Sequence, residues 1–168
     1  TDGDMRVYDR GGRGFIPGEG CGFIVLKPLA AARDDNDRVY AVIHGWGISS
    51  DGGGSGITAP SAAGQALALE RAYRQAPHTI ADLDFIEGHG TGTTVGDRTE
   101  LEAIARVLGQ TPVSSSQLRP CGMTSLKSII GHTKAASGIG GLIKAVMAVN
   151  RRIIPPTAAC REPHPAFD

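Results

Sequence analysis

The stretch FIEGHGTGTTVGDRTE, residues 85–100, decides how the chain is read. Apolar residues open it, glycines and threonines surround His89, and from about Asp97 the pattern turns helical, with Leu101, Ile104, Ala105 and Leu108 on one face. A brief strand over 84–88, a loop and a helix therefore form one unit. The loop could be a phosphate cradle, a metal site, a plain strand-to-helix turn or half of an acyl-transfer site. The phosphate reading fails on detail: GxGxxG would need glycine where Thr93 stands, and no GxxxxGK occurs. His89, His132 and Asp97 could be imagined as a metal trio, but no HExxH-type motif supports them, and no metal is expected.

Outward from this unit, the same alternation continues. GCGFIVLKPL (residues 20–29) and RVYAVIHGWGI (38–48) read as buried strands, with at most a short helix at AAARDD between them. SSDGGGSG (49–56) has the composition of a linker, yet Pro60 and Ser61 at once open a helix whose apolar face is Ala62, Ala66, Leu69 and Tyr73. TPVSSSQLRP (111–120) reads as a surface loop and CGMTSL (121–126) as a third strand. Ala135, Ala136, Ile139, Leu142, Ile143, Val146 and Met147 then recur at the helical period, in a stripe wide enough for deep burial. Strands alternating with helices give an α/β layered fold.

The 168 residues suffice for one domain or a piece of a larger one. Seventeen basic residues balance seventeen acidic ones, so no net field directs the chain to nucleic acid or to a membrane surface. No apolar run is long enough to span a bilayer, and the first residues are polar. Cys21, Cys121 and Cys160 are unpaired in pattern, which fits a reducing, cytoplasmic setting. Cys21 and Cys121 fall in apolar runs and read as inert small hydrophobes, so acyl transfer would lack its nucleophile here. The absence of an initiator methionine and the proline-rich REPHPAFD ending suggest a fragment cut at both ends.

His89 and His132 both stand where a strand gives way to a loop ahead of a helix, the edge at which open α/β sheets place ligands. Each alone reads first as a histidine satisfied by nearby backbone in a tight turn, ahead of a catalytic one; it is the pair that points to a site. Each follows a glycine, which would let a substrate approach. The helix after His132 should disfavour its protonation and leave a neutral donor suited to a thioester carbonyl or enolate oxygen. Lys127 is either an exposed strand-end lysine or part of the same site. Asp97 and Glu100 have the D-x-x-E spacing of a helix cap, and a carboxylate there could also pair with Lys127.

EGHGTGTTVGDRTELEAI and SLKSIIGHTKAASGIGGLIKAVMAV resemble the two histidine motifs of β-ketoacyl synthase (ketosynthase) domains of type I polyketide and fatty acid synthases. DRGGRGFIPGEGCGFIVLKPL resembles that family's glycine-rich segment, SDGGGSGITAPSAAGQ its loop near the active site, and RRIIPPT the segment after the second histidine helix. The resemblance implies a thiolase-like α/β/α/β/α fold. Residues 1–30 would join its two halves, and 31–168 would form most of the C-terminal half of a single partial domain. It implies that His89 and His132 are catalytic with Lys127, that Asp97 and Glu100 support them, and that Thr91 and Thr93 contact phosphopantetheine. It further implies a decarboxylative Claisen condensation with a malonyl group delivered by an acyl carrier protein. No cofactor would be bound, acyltransferase and other synthase domains would be neighbours, and the domain would be a homodimer. The nucleophile cysteine would lie upstream of Thr1 and a closing GTNAH-like strand beyond Asp168. Ile129 and Lys134 depart from the common pattern in a way that resembles iterative synthases of the enediyne or polyunsaturated fatty acid type. A non-catalytic chain-length partner or carrier-docking fragment is the alternative.

Overall fold

The computed structural model describes residues 3–53, 56, 58–112 and 120–167. Strand β1 (Phe85–Glu87) lies parallel to β2 (Gly122–Thr124), with Phe85 opposite Gly122, Ile86 opposite Met123 and Glu87 opposite Thr124. Parallel neighbours need a long crossover. Before this pair come α1 (Leu29–Asp34) and α2 (Ala62–Tyr73), and the crossover itself is α3 (Thr94–Gln110). A single turn, α4 (Lys127–Ile130), and the long α5 (Ser137–Arg151) follow β2.

Helix α2 starts where the Ser61 hydroxyl accepts the Gly64 N–H at 3.2 Å. Its expected apolar face is the one that packs. Ala62, Ala66, Leu69 and Tyr73 meet Ile80, Ala103 and Val107 across the α2–α3 contact. A second cluster joins Met5, Val7, Tyr8 and Leu101, with Ile16 and Met123 against it. Helix α3 thus separates two small cores.

The helices differ from expectation in three ways. Helix α3 begins at Thr94 rather than near Asp97, because the Thr93 hydroxyl caps it by accepting the Gly96 N–H at 3.1 Å. Asp97 is therefore inside the first turn and is not the cap. The buried face of α3 is also rotated: Ala103 and Val107 are enclosed while Ala105 is exposed. On α5 the apolar stripe is only partly covered, and Ile143 and Met147 each keep 36% of their surface exposed. The covered side of α5 faces β1, where Gly141 rests against the Glu87 side chain.

The largest difference concerns residues 20–28 and 38–48, which form no strand. A strand is defined by its ladder, and over 38–48 side chains of α2, the turn after it and α5 take carbonyl groups instead. Gln75 donates to the Trp46 carbonyl at 2.7 Å, Asn150 to the Tyr40 carbonyl at 3.3 Å, and Arg71 to that of Ile48. The outward residues stay open, with Val25 97%, Phe23 89% and Trp46 64% exposed. Cys21 and Cys121 are exposed rather than packed. Residues 113–119 of the loop expected over 111–120, and residues 54 and 55 of the glycine-rich stretch over 49–56, lie outside the described residues.

The two ends of the chain are tied together beneath the sheet edge. The buried Asp9 carboxylate accepts N–H groups from Arg161 (2.6 Å), Glu162 (2.8 Å) and Gly11 (2.7 Å). Arg10 donates its N–H to the Glu162 carbonyl at 2.8 Å. This places residues 3–18 under both histidine loops.

Candidate active site

The first loop leaves β1 with the Gly88 N–H donating to the Thr124 carbonyl at 2.8 Å. Directly below lies Tyr8, 1% exposed. Its hydroxyl donates to Glu100 Oε2 at 2.8 Å and its backbone N–H to Asp97 Oδ2 at 2.7 Å. Glu100 also accepts the N–H of His89 at 2.6 Å and of Gly90 at 2.9 Å, while Asp97 Oδ1 accepts that of Gly92 at 3.0 Å. Two carboxylates one helical turn apart therefore clamp the backbone of residues 89–92. A Cβ at residue 88 would collide with the Tyr8 hydroxyl, so glycine ahead of His89 makes room for the protein's own phenol, not for a substrate.

The second loop is held by backbone. Residues 16–18 form a parallel bridge with it: the His132 N–H donates to the Ile16 carbonyl at 2.7 Å, and the Gly18 N–H to the His132 carbonyl at 3.1 Å. Gly131 turns there at φ +76°, and a Cβ would come within 2.7 Å of the Ile16 oxygen. This glycine too serves internal packing.

These loops bring the two imidazoles together, with ring centroids 5.4 Å apart and planes at 86°. Phe15 abuts His132 from another side at 5.2 Å. His132 Nδ1 receives the Lys134 backbone N–H at 3.1 Å and lies 3.0 Å from the Ser137 hydroxyl. A backbone N–H can only donate, so Nδ1 is an acceptor and the neutral ring carries its proton on Nε2. That proton is free for an incoming oxygen.

Electrostatics keeps both rings neutral. Burial, then the Lys127 ammonium, pushes the His89 pKa below the usual 6.5, with Glu100 opposing. Burial, Lys127, His89 and Lys134 lower that of His132 in turn. The expected helix N-terminus is farther off than the sequence suggested, since α5 begins at Ser137. Lys127 is 5% exposed, which excludes a strand-end surface lysine. Desolvation lowers its pKa against the pull of Glu100, Glu87 and Asp97. Among the described residues it forms no direct ion pair, so the expected pairing with Asp97 or Glu100 acts only at longer range. Asp97 itself is pushed up by burial against its backbone N–H donors. Partial desolvation of the thiol, then a nearby aspartate (Asp84 and Asp9 respectively), raises the pKa of Cys121, exposed as that residue is, and of Cys160, so neither is an activated thiolate.

The sequence itself matches a known family. Residues 40–161 match the family described as "Beta-ketoacyl synthase, C-terminal domain". The chain belongs to the β-ketoacyl synthase family. It is 41% identical over 165 residues to a reducing polyketide synthase of Metacordyceps chlamydosporia, covering 98% of this chain and 7% of that protein. It is 42% identical over 168 residues to one of the polyunsaturated fatty acid synthase subunits of Thraustochytrium sp., covering 100% of this chain and 6% of that protein. The oxazolomycin ketosynthase domain OzmH KS7 of Streptomyces albus JA3453 superposes with a TM-score of 0.92 at 32% identity, over 100% of this chain and 28% of that one. The fold is thus the thiolase-like α/β fold of ketosynthases. The chain spans a small part of each of these relatives, and polyketide and polyunsaturated fatty acid synthases are about equally similar to it.

In the structure His89 and His132 are in ring contact, Lys127 is near enough to lower both their pKa values, and Asp97 and Glu100 hold the His89 loop. The Thr91 and Thr93 hydroxyls are 2.7 Å apart, Thr93 serving as the α3 cap. Tyr8, Ser137 and the buried Glu87–Lys144 pair escaped the sequence reading. A glutamate closing an apolar strand and a lysine inside an apolar helical run were the available signals. Among the described residues, no helix is long and apolar enough to cross a membrane.

Proposed function

We propose that the chain carries the decarboxylating and enolate-stabilising histidines of a β-ketoacyl synthase. It would act in decarboxylative Claisen condensation of an acyl thioester with malonyl-acyl carrier protein. The observation that carries this reading is the juxtaposition of two pKa-depressed imidazoles, 5.4 Å apart, beside the buried Lys127.

The malonyl thioester carbonyl sits between the rings and accepts the His132 Nε2–H. As the bond to the carboxylate breaks and carbon dioxide leaves, the electron pair moves onto that carbonyl oxygen. Pre-placed donors stabilise the resulting enolate without having to reorganise. The enolate carbon attacks an acyl group held as a cysteine thioester by a part of the synthase outside this chain. A carbon–carbon bond forms, the carbon–sulfur bond breaks, and the cysteine leaves as thiolate. Lys127 adds positive potential where negative charge develops. Thr91 and Thr93 guide the phosphopantetheine arm, which arrives with the carrier protein, so no resident cofactor is required. The whole domain works as a homodimer among the other domains of its synthase.

His132→Ala in the intact synthase domain tests this. Condensation should fall by roughly 100-fold or more, as for loss of an oxyanion donor, while radiolabelled acyl transfer to the cysteine persists. Equal loss of both activities contradicts the assignment.

A further inference from the structure

Glu87 and Lys144 form a buried ion pair, with side chains 9% and 12% exposed and Nζ 2.8 Å from Oε2. Oε2 has no well-directed hydrogen bond, so the contact is held by charge rather than by hydrogen-bond geometry. The other carboxylate oxygen accepts the Leu126 N–H at 2.6 Å, and Nζ donates to Thr124 Oγ1 at 2.6 Å. These bonds tie β1, β2, the start of α4 and α5 together. Glu87 ends β1 two residues before His89, Leu126 directly precedes Lys127, and Lys144 lies in α5, which follows the His132 loop.

A buried pair of this kind is seldom retained for stability, because apolar side chains of similar volume do as well or better. What such side chains cannot reproduce is the directed bond from the carboxylate to the Leu126 N–H or the ammonium contact to Thr124. Without them, the β1 end, the Lys127 turn and α5 can shift relative to one another. Displacements of about 1 Å in a reacting constellation cost up to roughly 100-fold in rate.

We propose that Glu87 and Lys144 are positioning residues that set the spacing of His89, Lys127 and His132. The inference rests on the ketosynthase reading above. Neither residue touches the reacting atoms.

The test uses the intact synthase with Glu87→Leu/Lys144→Met, Lys144→Arg, and a His132→Ala control. Melting temperature, cysteine acylation and malonyl-carrier decarboxylation are measured for each. The double variant should melt near the parent and acylate normally, while decarboxylation falls roughly 10- to 100-fold. Lys144→Arg keeps the charge with a different reach and should show a smaller loss at unchanged melting temperature. It also decides the question if the double variant does not fold. Parent-like decarboxylation in a folded variant overturns the proposal. If His132→Ala decarboxylates at the parent rate, the ketosynthase reading itself fails.

Discussion

The two histidine loops face each other yet are anchored by different means. The His89 loop hangs from two carboxylates of α3, which collect N–H groups from His89, Gly90 and Gly92. Both loops turn on glycines at positive φ, Gly90 and Gly92 in the first and Gly131 in the second, but the His132 loop is fixed by backbone bonds to residues 16–18 rather than by carboxylates. The first should respond to side-chain chemistry and pH. The second should respond to backbone substitution.

The largest effect is expected at Gly131. Alanine there combines a left-handed backbone with a clash against the Ile16 carbonyl, a loss of about 3 kcal/mol or more. Chemical denaturation measures it, and a change below about 1 kcal/mol would mean that the bridge can slide. Glu100→Ala should rank next. It leaves the N–H groups of His89 and Gly90 and the Tyr8 hydroxyl without their acceptor, for roughly 2–3 kcal/mol. Amide exchange should quicken at residues 88–92 and not at 131–133; equal quickening at both loops would erase the distinction between them.

Lys127→Met should act in the opposite direction. Among the described residues this ammonium has no direct ion pair, and its desolvated place depresses its pKa. The unfolded chain binds that proton more tightly, so native stability suffers at neutral pH and recovers as pH rises toward 10.5. Removing the charge should stabilise the fold by on the order of 1 kcal/mol at pH 7, with the gain shrinking in alkaline buffer. A destabilised Met variant would show that Lys127 has a structural partner. The smallest effect belongs to His132. Between its depressed native pKa and 6.5 the unfolded chain holds a proton that the native chain does not. Stability should be complete above 6.5 and decline as pH falls through that window, a slope that His132→Gln should reduce.

Much of this site could be read before the structure. Period 3.6 located α2 and α5, and the strand–loop–helix pattern located β1 and α3, because each signal is local. The roles of Asp97 and Glu100 were harder to read. Capping depends on where α3 begins, and Thr93 claims that position. Their partners, Tyr8 and the loop amides, come from segments that only folding brings near. The segments over 20–28 and 38–48 failed for a related reason: their composition suits a strand, but a strand requires a neighbour. Here Gly22 packs against Ile139 and Ile143 of α5, Arg71 and Gln75 take carbonyls of 38–48, and Phe23, Val25 and Trp46 stay exposed.

The most direct test of a neutral, Nε2-protonated donor at His132 is long-range proton–nitrogen correlation NMR of protein labelled with nitrogen-15 at histidine, at pH 7. His132 should be uncharged, with its proton on Nε2 and Nδ1 as the acceptor. A charged imidazolium, or a neutral ring protonated on Nδ1, would contradict it.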